Sequence, residues 1–243
     1  MSSTERVFPS GANQVELVRR GSGLAVRKTY QAQLKSYPER WPVSRREVEA
    51  FLLGWMRDHC APGVRVPALL ERGENFLLLE HCPGTPLAEC ATARLRDAAL
   101  WRALFETLYA LRLLRWDALD AETQALLSAQ RPILDCMLRW KTQGDISPDR
   151  RPNRLCLGDV SLHNILFSGE LVLLDFECGH WGYAGYDMGQ LLAMAETHWP
   201  ASLLEETIYP AFFHAAADER ERQDCLYWRD RLKPYYTKTR ERE

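Results

Sequence analysis

Two carboxylates and an amide fall close together in the segment Leu157 to Glu177: Asp159, Asn164 and Asp175. All three offer oxygen. Magnesium takes oxygen ligands, accepts one or two of them from protein, and fills the rest of its octahedron with water and phosphate oxygens. Asp175 and the Asn164 carbonyl suit that role. Asp159, which the cation does not require, can accept a hydroxyl proton and aim the nucleophile. Each residue also has a plain structural use: a loop cap for Asp159, an Asx-turn for Asn164, a strand end for Asp175. Their joint spacing favours the chemistry. Two apolar runs flank Gly169-Glu170, which reads as a two-residue hairpin turn with Gly first. A turn centred there sets Asn164 beside Asp175 at the open end of the hairpin, with Asp159 upstream in the entering loop.

The elements around this segment read in two parts. Gln14 to Arg19 and Leu24 to Tyr30 are strand-like, with Gly21-Ser22-Gly23 as the turn between them. Ser44-x-x-Glu47 has capping-box spacing, and Val48, Phe51, Leu52 and Trp55 follow at helical intervals. Val64 to Leu70 and Asn75 to Glu80 form another expected strand pair. Pro83-Gly84 is the strongest break, which puts an N-terminal lobe at 1–82 and a C-terminal lobe at 83–243. Beyond it Trp101, Leu104, Phe105, Leu108 and Leu111 make an apolar helical stripe. Ile133, Leu134, Met137 and Leu138 mark a second helix, Gln143 to Asn153 a polar loop, and Leu155 to Phe176 a β-like stretch. Helices dominate from Tyr186 to the end.

The segment Gly158-Asp159, Asn164 and Leu174-Asp175-Phe176-Glu177, continued by Gly182 and Tyr186-Asp187, resembles the catalytic core of the aminoglycoside phosphotransferase and choline kinase superfamily. Leu157 stands where that pattern usually has His. The resemblance implies an α+β, two-lobed protein-kinase-like fold. Its small antiparallel β-rich N-lobe carries one helix, and its larger C-lobe is mainly helical. It implies an enzyme that moves the γ-phosphate of ATP, or another nucleoside triphosphate, to a hydroxyl of a small molecule, with Asp159 as base and Asn164 and Asp175 on Mg2+. The N-terminal half is similar more loosely. Gly11, in Ser10-Gly11-Ala12-Asn13, takes the place of the phosphate-covering turn. Lys28 takes the place of the strand lysine that meets the α- and β-phosphates, with Arg27 as its competitor. Glu47 is the expected partner of that lysine, with Glu49 the fallback. Leu79, Glu80 and Cys82 fall in the hinge that holds adenine. Glu177 is left between a role near the metal and a solvent-facing one, and Asp187 is implied to anchor the backbone of the catalytic loop.

The acceptor stays open among aminoglycosides, choline-like amines and sugars. A peptide acceptor is disfavoured, because only a short segment separates Asp175 from Asp187 and it contains no Ala-Pro-Glu anchor. A kinase-like binding module without catalysis is the alternative. The chain of 243 residues can bury a sizeable core. Its net charge of −2 gives no general field for nucleic acid or anionic membrane. Seven scattered cysteines, with no Cys-x-x-Cys, fit reduced thiols rather than a disulfide framework or a zinc site. No apolar run approaches bilayer-spanning length. These features point to a cytoplasmic protein that does not insert in a membrane. Nothing in the sequence fixes an oligomeric state.

Overall fold

Alternation of side chains across extended backbone organises the first eighty residues. The computed structural model describes residues 4–8, 13–31, 45–142, 152–216 and 218–240. Strands β1 (Thr4–Phe8), β2 (Asn13–Arg20) and β3 (Gly23–Tyr30) precede helix α1 (Arg45–Arg57). Strands β4 (Val64–Arg65), β5 (Leu69–Arg72), β6 (Phe76–Glu80) and β7 (Thr85–Pro86) follow it. The main sheet has the order β1-β2-β3-β6-β5, antiparallel throughout. On β6, Leu77, Leu78 and Leu79 are all buried, so this strand is covered on both faces. Leu78 packs with Val18 and Ala25 on one face. Leu77 and Leu79 share the main core with Val48, Leu52, Leu53 and Met56 of α1. On β3 the same alternation turns Lys28 inward and leaves the Arg27 guanidinium over the Phe76 ring, 4.2 Å from its centroid.

The rest of the chain is mainly helical. Its elements are α2 (Ala98–Ala110), α3 (Ala121–Ala129), α4 (Arg131–Thr142), β8 (Arg154–Cys156), β9 (Ile165–Phe167), β10 (Leu171–Leu173), β11 (His180–Gly182), α5 (Tyr186–His198), α6 (Ala201–Leu203), α7 (Tyr209–Ala215) and α8 (Glu219–Arg240). Short 3-10 turns and one π turn over Leu204–Ile208 link them. The α2 stripe buries Trp101, Leu104, Phe105 and Leu108, with Phe105 edge-on to Phe212 of α7. Helix α5 is buried along most of its length. At Gly189 the backbone of α8 comes so near that an added Cβ would stand 2.6 Å from the Cys225 carbonyl oxygen. No described helix is long and apolar enough to cross a membrane.

Two expectations about strands need correcting. The run from Val64 to Leu70 is not one strand. Val64–Arg65 pairs in parallel with β10, whereas Leu69–Arg72 pairs with β6. Pro67, which has no N–H to give a ladder, lies between them. The β9–β10 hairpin is also shifted by one residue. Ile165 pairs with Leu173 and Phe167 with Leu171, around a three-residue loop Ser168–Glu170 with Gly169 at φ +98°. Asn164 therefore faces Leu174, whose N–H donates to the Asn164 carbonyl over 2.8 Å, and not Asp175. Strand β1 has no counterpart in the sequence reading. Ser44 and most of the expected polar loop, residues 143–151, lie outside the described residues.

Candidate active site

The loop that carries Asp159 is fixed from below. Asp187, in the first turn of α5, accepts hydrogen bonds from the backbone N–H of Leu157 at 2.7 Å and of Gly158 at 3.0 Å. Burial pushes the Asp187 carboxyl up to about 6, against these two donors, which favour the charged form. Gly158 has φ +86°, and an added Cβ would come within 2.2 Å of the Cys178 carbonyl oxygen, so the turn requires glycine. Asp159 then projects onward. Its Oδ1 accepts from Gln190 Nε2 at 3.1 Å and from Lys141 Nζ at 3.5 Å. Asn164 Nδ2 donates to the Asp159 carbonyl at 3.2 Å and to its Oδ2 at 3.4 Å. These bonds use the amide nitrogen of Asn164 and leave its amide oxygen as the atom suited to a cation.

Asp175 reaches the same region by a different device. It is the one non-glycine residue with positive φ (66°) among the described residues. That conformation costs a non-glycine residue about 1–3 kcal/mol and persists where surrounding structure enforces it. It turns the carboxylate out of line with β10 and onto Lys28, with which it forms an ion pair. Lys28 Nζ also lies 2.6 Å from Glu49 and 3.6 Å from Glu177. The Tyr30 hydroxyl donates to Glu49, Asn13 Nδ2 donates to Glu177, and Arg45 Nη1 donates to Glu177 at 3.0 Å. Burial alone would pull the Lys28 ammonium down, but Asp175, Glu177 and Glu49 outweigh it and hold it well above the ordinary lysine value. Burial pushes Glu177 upward against the pull of Lys28 and Arg45. The side chains of Glu49 and Glu177 are 1% and 6% exposed and that of Asp175 is 38%, so Asp175 is the open member of the cluster.

A cleft of about 200 Å³ runs from this cluster to the hinge. Val26, Leu53 and Leu79 form apolar walls, Glu80 and Cys82 lie at one end, and Lys28, Asn164 and Asp175 at the other. The structure thus gathers Lys28, Leu79, Glu80, Cys82, Asn164 and Asp175 around one space, with Asp159 bonded to its rim. It does not place Glu47 there. Glu47 pairs with Arg46 and Arg72 on the other side of α1, and Glu49 is the partner of Lys28. The reason is helical phase: Glu49 falls in the buried stripe with Val48, Leu52, Leu53 and Met56, whereas Glu47 is two residues, over half a turn, away. Gly11 lies outside the described residues.

Sequence reasoning left Glu177 undecided and missed Tyr30, Arg45, Lys141 and Gln190. Glu177 had a usable signal in Asp175-Phe176-Glu177. The others come from distant elements and share no spacing with the catalytic segment. Besides the Lys28 ammonium, the groups around Asp175 are oxygen donors: its carboxylate and those of Glu49 and Glu177 lie within 4.8 Å of one another. This set fits a hard divalent cation such as Mg2+.

The fold has many solved counterparts. An aminoglycoside-3'-phosphotransferase of type VIII is 18% identical over 97% of this chain and 93% of its own, with a TM-score of 0.59. A macrolide 2'-phosphotransferase from Brachybacterium faecium is 18% identical over 91% of this chain and 80% of its own, with a TM-score of 0.55. An ethanolamine kinase from Plasmodium vivax is 12% identical over 97% of this chain and 73% of its own, with a TM-score of 0.58. No curated protein matches the chain by sequence. The profile of the phosphotransferase enzyme family matches residues 6–224, so the two-lobed fold and the loop held by Asp187 are those of a chain that belongs to that family.

Proposed function

We propose that the protein transfers the γ-phosphate of ATP to a hydroxyl of a small molecule, in a Mg2+-dependent reaction. The observation that carries the reading is the meeting of Lys28, Asn164 and Asp175 at one end of an apolar cleft, with Asp159 on the rim. Residues 1–82 act as the nucleotide-binding lobe and residues 83–243 as the catalytic and acceptor-binding lobe. Adenine lies against Leu79 and Cys82, near the Glu80 backbone. Lys28, ordered by Glu49, faces the phosphates. Asp175 and the Asn164 amide oxygen would hold Mg2+, which would neutralise charge that develops on the transferring phosphoryl group.

Asp159 aims the acceptor hydroxyl at the γ-phosphorus. A bond forms from the acceptor oxygen to that phosphorus, the bond to the β–γ bridging oxygen breaks, and the hydroxyl proton passes to Asp159. ADP leaves with the bridging oxygen. Phosphoryl transfer of this kind depends chiefly on position and charge. Gln190 and Asn164 hold the Asp159 carboxylate in place, and Asp187 holds the backbone of Leu157 and Gly158 just before it.

The test separates binding from transfer. Asp159→Asn is expected to leave Mg·ATP affinity nearly unchanged by calorimetry and to cut transfer by roughly 10²-fold or more, the scale of losing a general base. Asp175→Asn tolerates the positive φ and is expected to abolish Mg2+-dependent turnover in a folded protein. Full activity in either variant overturns the reading, and loss of nucleotide affinity in Asp159→Asn makes Asp159 a metal ligand.

A further inference from the structure

The acceptor leaves its mark in the charges that surround Asp159. Lys141, near the end of α4, is 5% exposed and places its ammonium 3.5 Å from Asp159 Oδ1. The Tyr236 ring centroid of α8 is 5.9 Å from that ammonium. Burial alone would pull Lys141 down, but Tyr186, Tyr236 and Asp159 outweigh it, so the ammonium stays charged. Tyr236 also lines a pocket of about 160 Å³ between the catalytic loop, the end of α5 and the end of α8. Leu162, His163, Thr197, His198, Tyr235 and Arg240 are among the other residues of its wall, and no carboxylate lines it among the described residues.

A cationic acceptor needs carboxylates or an aromatic cage. Three acids of the last third are engaged elsewhere. Glu196 is held by Lys233 at 2.6 Å and Arg229 at 3.4 Å, Glu206 by Arg96 at 2.7 Å, and Glu219 by Arg222 at 3.3 Å. The pocket itself offers two half-buried tyrosines, Tyr235 edge-on to Trp140 and Tyr236 turned to the Lys141 ammonium, and these make no cage. Trp199, Phe212 and Trp228 are core residues, and Trp181 packs against Trp116.

We infer that the acceptor is a hydroxyl compound without positive charge, a polyol or sugar that is neutral or bears an anionic group, because the proposed base shares its carboxylate with a buried lysine beside a pocket that is lined by tyrosines, histidines and an arginine and by no carboxylate among the described residues. The inference rests on the phosphotransferase reading. An acceptor hydroxyl within hydrogen-bond reach of Asp159 lies a few ångströms from the Lys141 ammonium. An amine on a neighbouring carbon meets a like charge there in a poorly hydrated site, whereas a hydroxyl or an anion meets a donor. Lys141 acts through charge and through its hold on Asp159, as a specificity and positioning residue.

The experiment gives the full chain Mg·ATP and measures ADP release against three sets of acceptors. The first is glucose, ribose and inositol, the second gluconate and glucose 6-phosphate, and the third choline, ethanolamine and kanamycin. The best member of the first two sets is expected to exceed every amine in kcat/KM by roughly 100-fold or more, the scale of an unscreened like-charge contact. Lys141→Met is expected to narrow that ratio by roughly tenfold or more. Lys141→Gln, which keeps a donor to Asp159, serves where the Met variant does not fold. An amine turned over as well as the best polyol, a ratio unmoved by both Lys141 variants, or no turnover in the first two sets while Mg·ATP binds by calorimetry, overturns the inference. Absence of Mg·ATP binding overturns instead the phosphotransferase reading beneath it.

Discussion

Lys28 is the residue on which most of the site converges, and its three carboxyl neighbours are not equivalent. Asp175 is open to the cleft, Glu177 is tied to Arg45 and Asn13, and Glu49 holds the ammonium from the α1 side with Tyr30 behind it. Glu49→Gln is therefore expected to lower turnover by roughly tenfold or more, since a preorganised cation that loses its anchor stabilises charge less well. Glu47→Gln, on the outer side of the helix, is expected to leave turnover unchanged and stability within about 0.5 kcal/mol. Steady-state kinetics on the two purified variants decides between them, and the reverse ranking would restore Glu47 as the lysine partner. The sequence contained both glutamates but not the exact phase of the helix, and a capping-box spacing drew attention to the wrong one. Asp159, Asn164 and Asp175 were readable because they belong to one local segment. Lys141 and Gln190 were not, because α4 and α5 bring them to Asp159 from 18 and 31 residues away.

At the scale of elements, short contacts between backbones decide the geometry. Most strands and helices were readable from periodicity, since β2, β3, β6, α1 and α2 each bury a face that their apolar residues mark. Where the reading failed, a pairing partner was remote: Val64–Arg65 adds to β10, far along the chain, and no local pattern announces it. The hairpin register failed for a subtler reason, because Gly169 allows a three-residue loop as readily as a two-residue one. The junction of α5 with α8 is one of the tight contacts of this kind. At Gly189 an added Cβ would meet Trp228 Cβ at 2.5 Å and the Cys225 carbonyl oxygen at 2.6 Å. Gly189→Ala is expected to cost about 1–3 kcal/mol by overpacking, more than the gain from alanine's helix propensity, which is about 1 kcal/mol. Because α5 also carries Asp187 and Gln190, the variant is expected to lose activity along with stability. Urea unfolding beside a turnover assay measures both, and a variant more stable than the parent would show that α8 yields without cost.

At the scale of the whole molecule the cleft joins two bodies of structure. Val26, Lys28 and Leu79 come from the five-stranded sheet, whereas Asn164, Leu174 and Asp175 come from the hairpin and the residues around it. A ligand that touches both walls stabilises the folded chain by mass action, by about 2.7 kcal/mol when it is present at 100 times its dissociation constant. For a chain of this size that corresponds to a rise of about 5–10 °C in Tm. The charge balance of the site adds a condition. Three carboxyl groups, on Glu49, Asp175 and Glu177, face only two cations, Lys28 and Arg45, and the chain as a whole carries a net charge of −2. On the proposed function, a free nucleoside triphosphate would meet a site that repels it, and Mg2+ would reverse the sign at Asp175. Thermal unfolding with Mg·ATP is expected to show the full shift, and ATP with EDTA less than half of it. In Asp175→Asn one carboxylate is gone, so ATP alone binds better than in the parent while the added effect of Mg2+ is largely lost. The Mg2+-dependent increment in Tm, compared between parent and variant, isolates Asp175 from the rest of the cleft. An equal increment in both proteins would mean that the cation is held elsewhere, and an equal shift with and without EDTA in the parent would mean that the nucleotide binds without it.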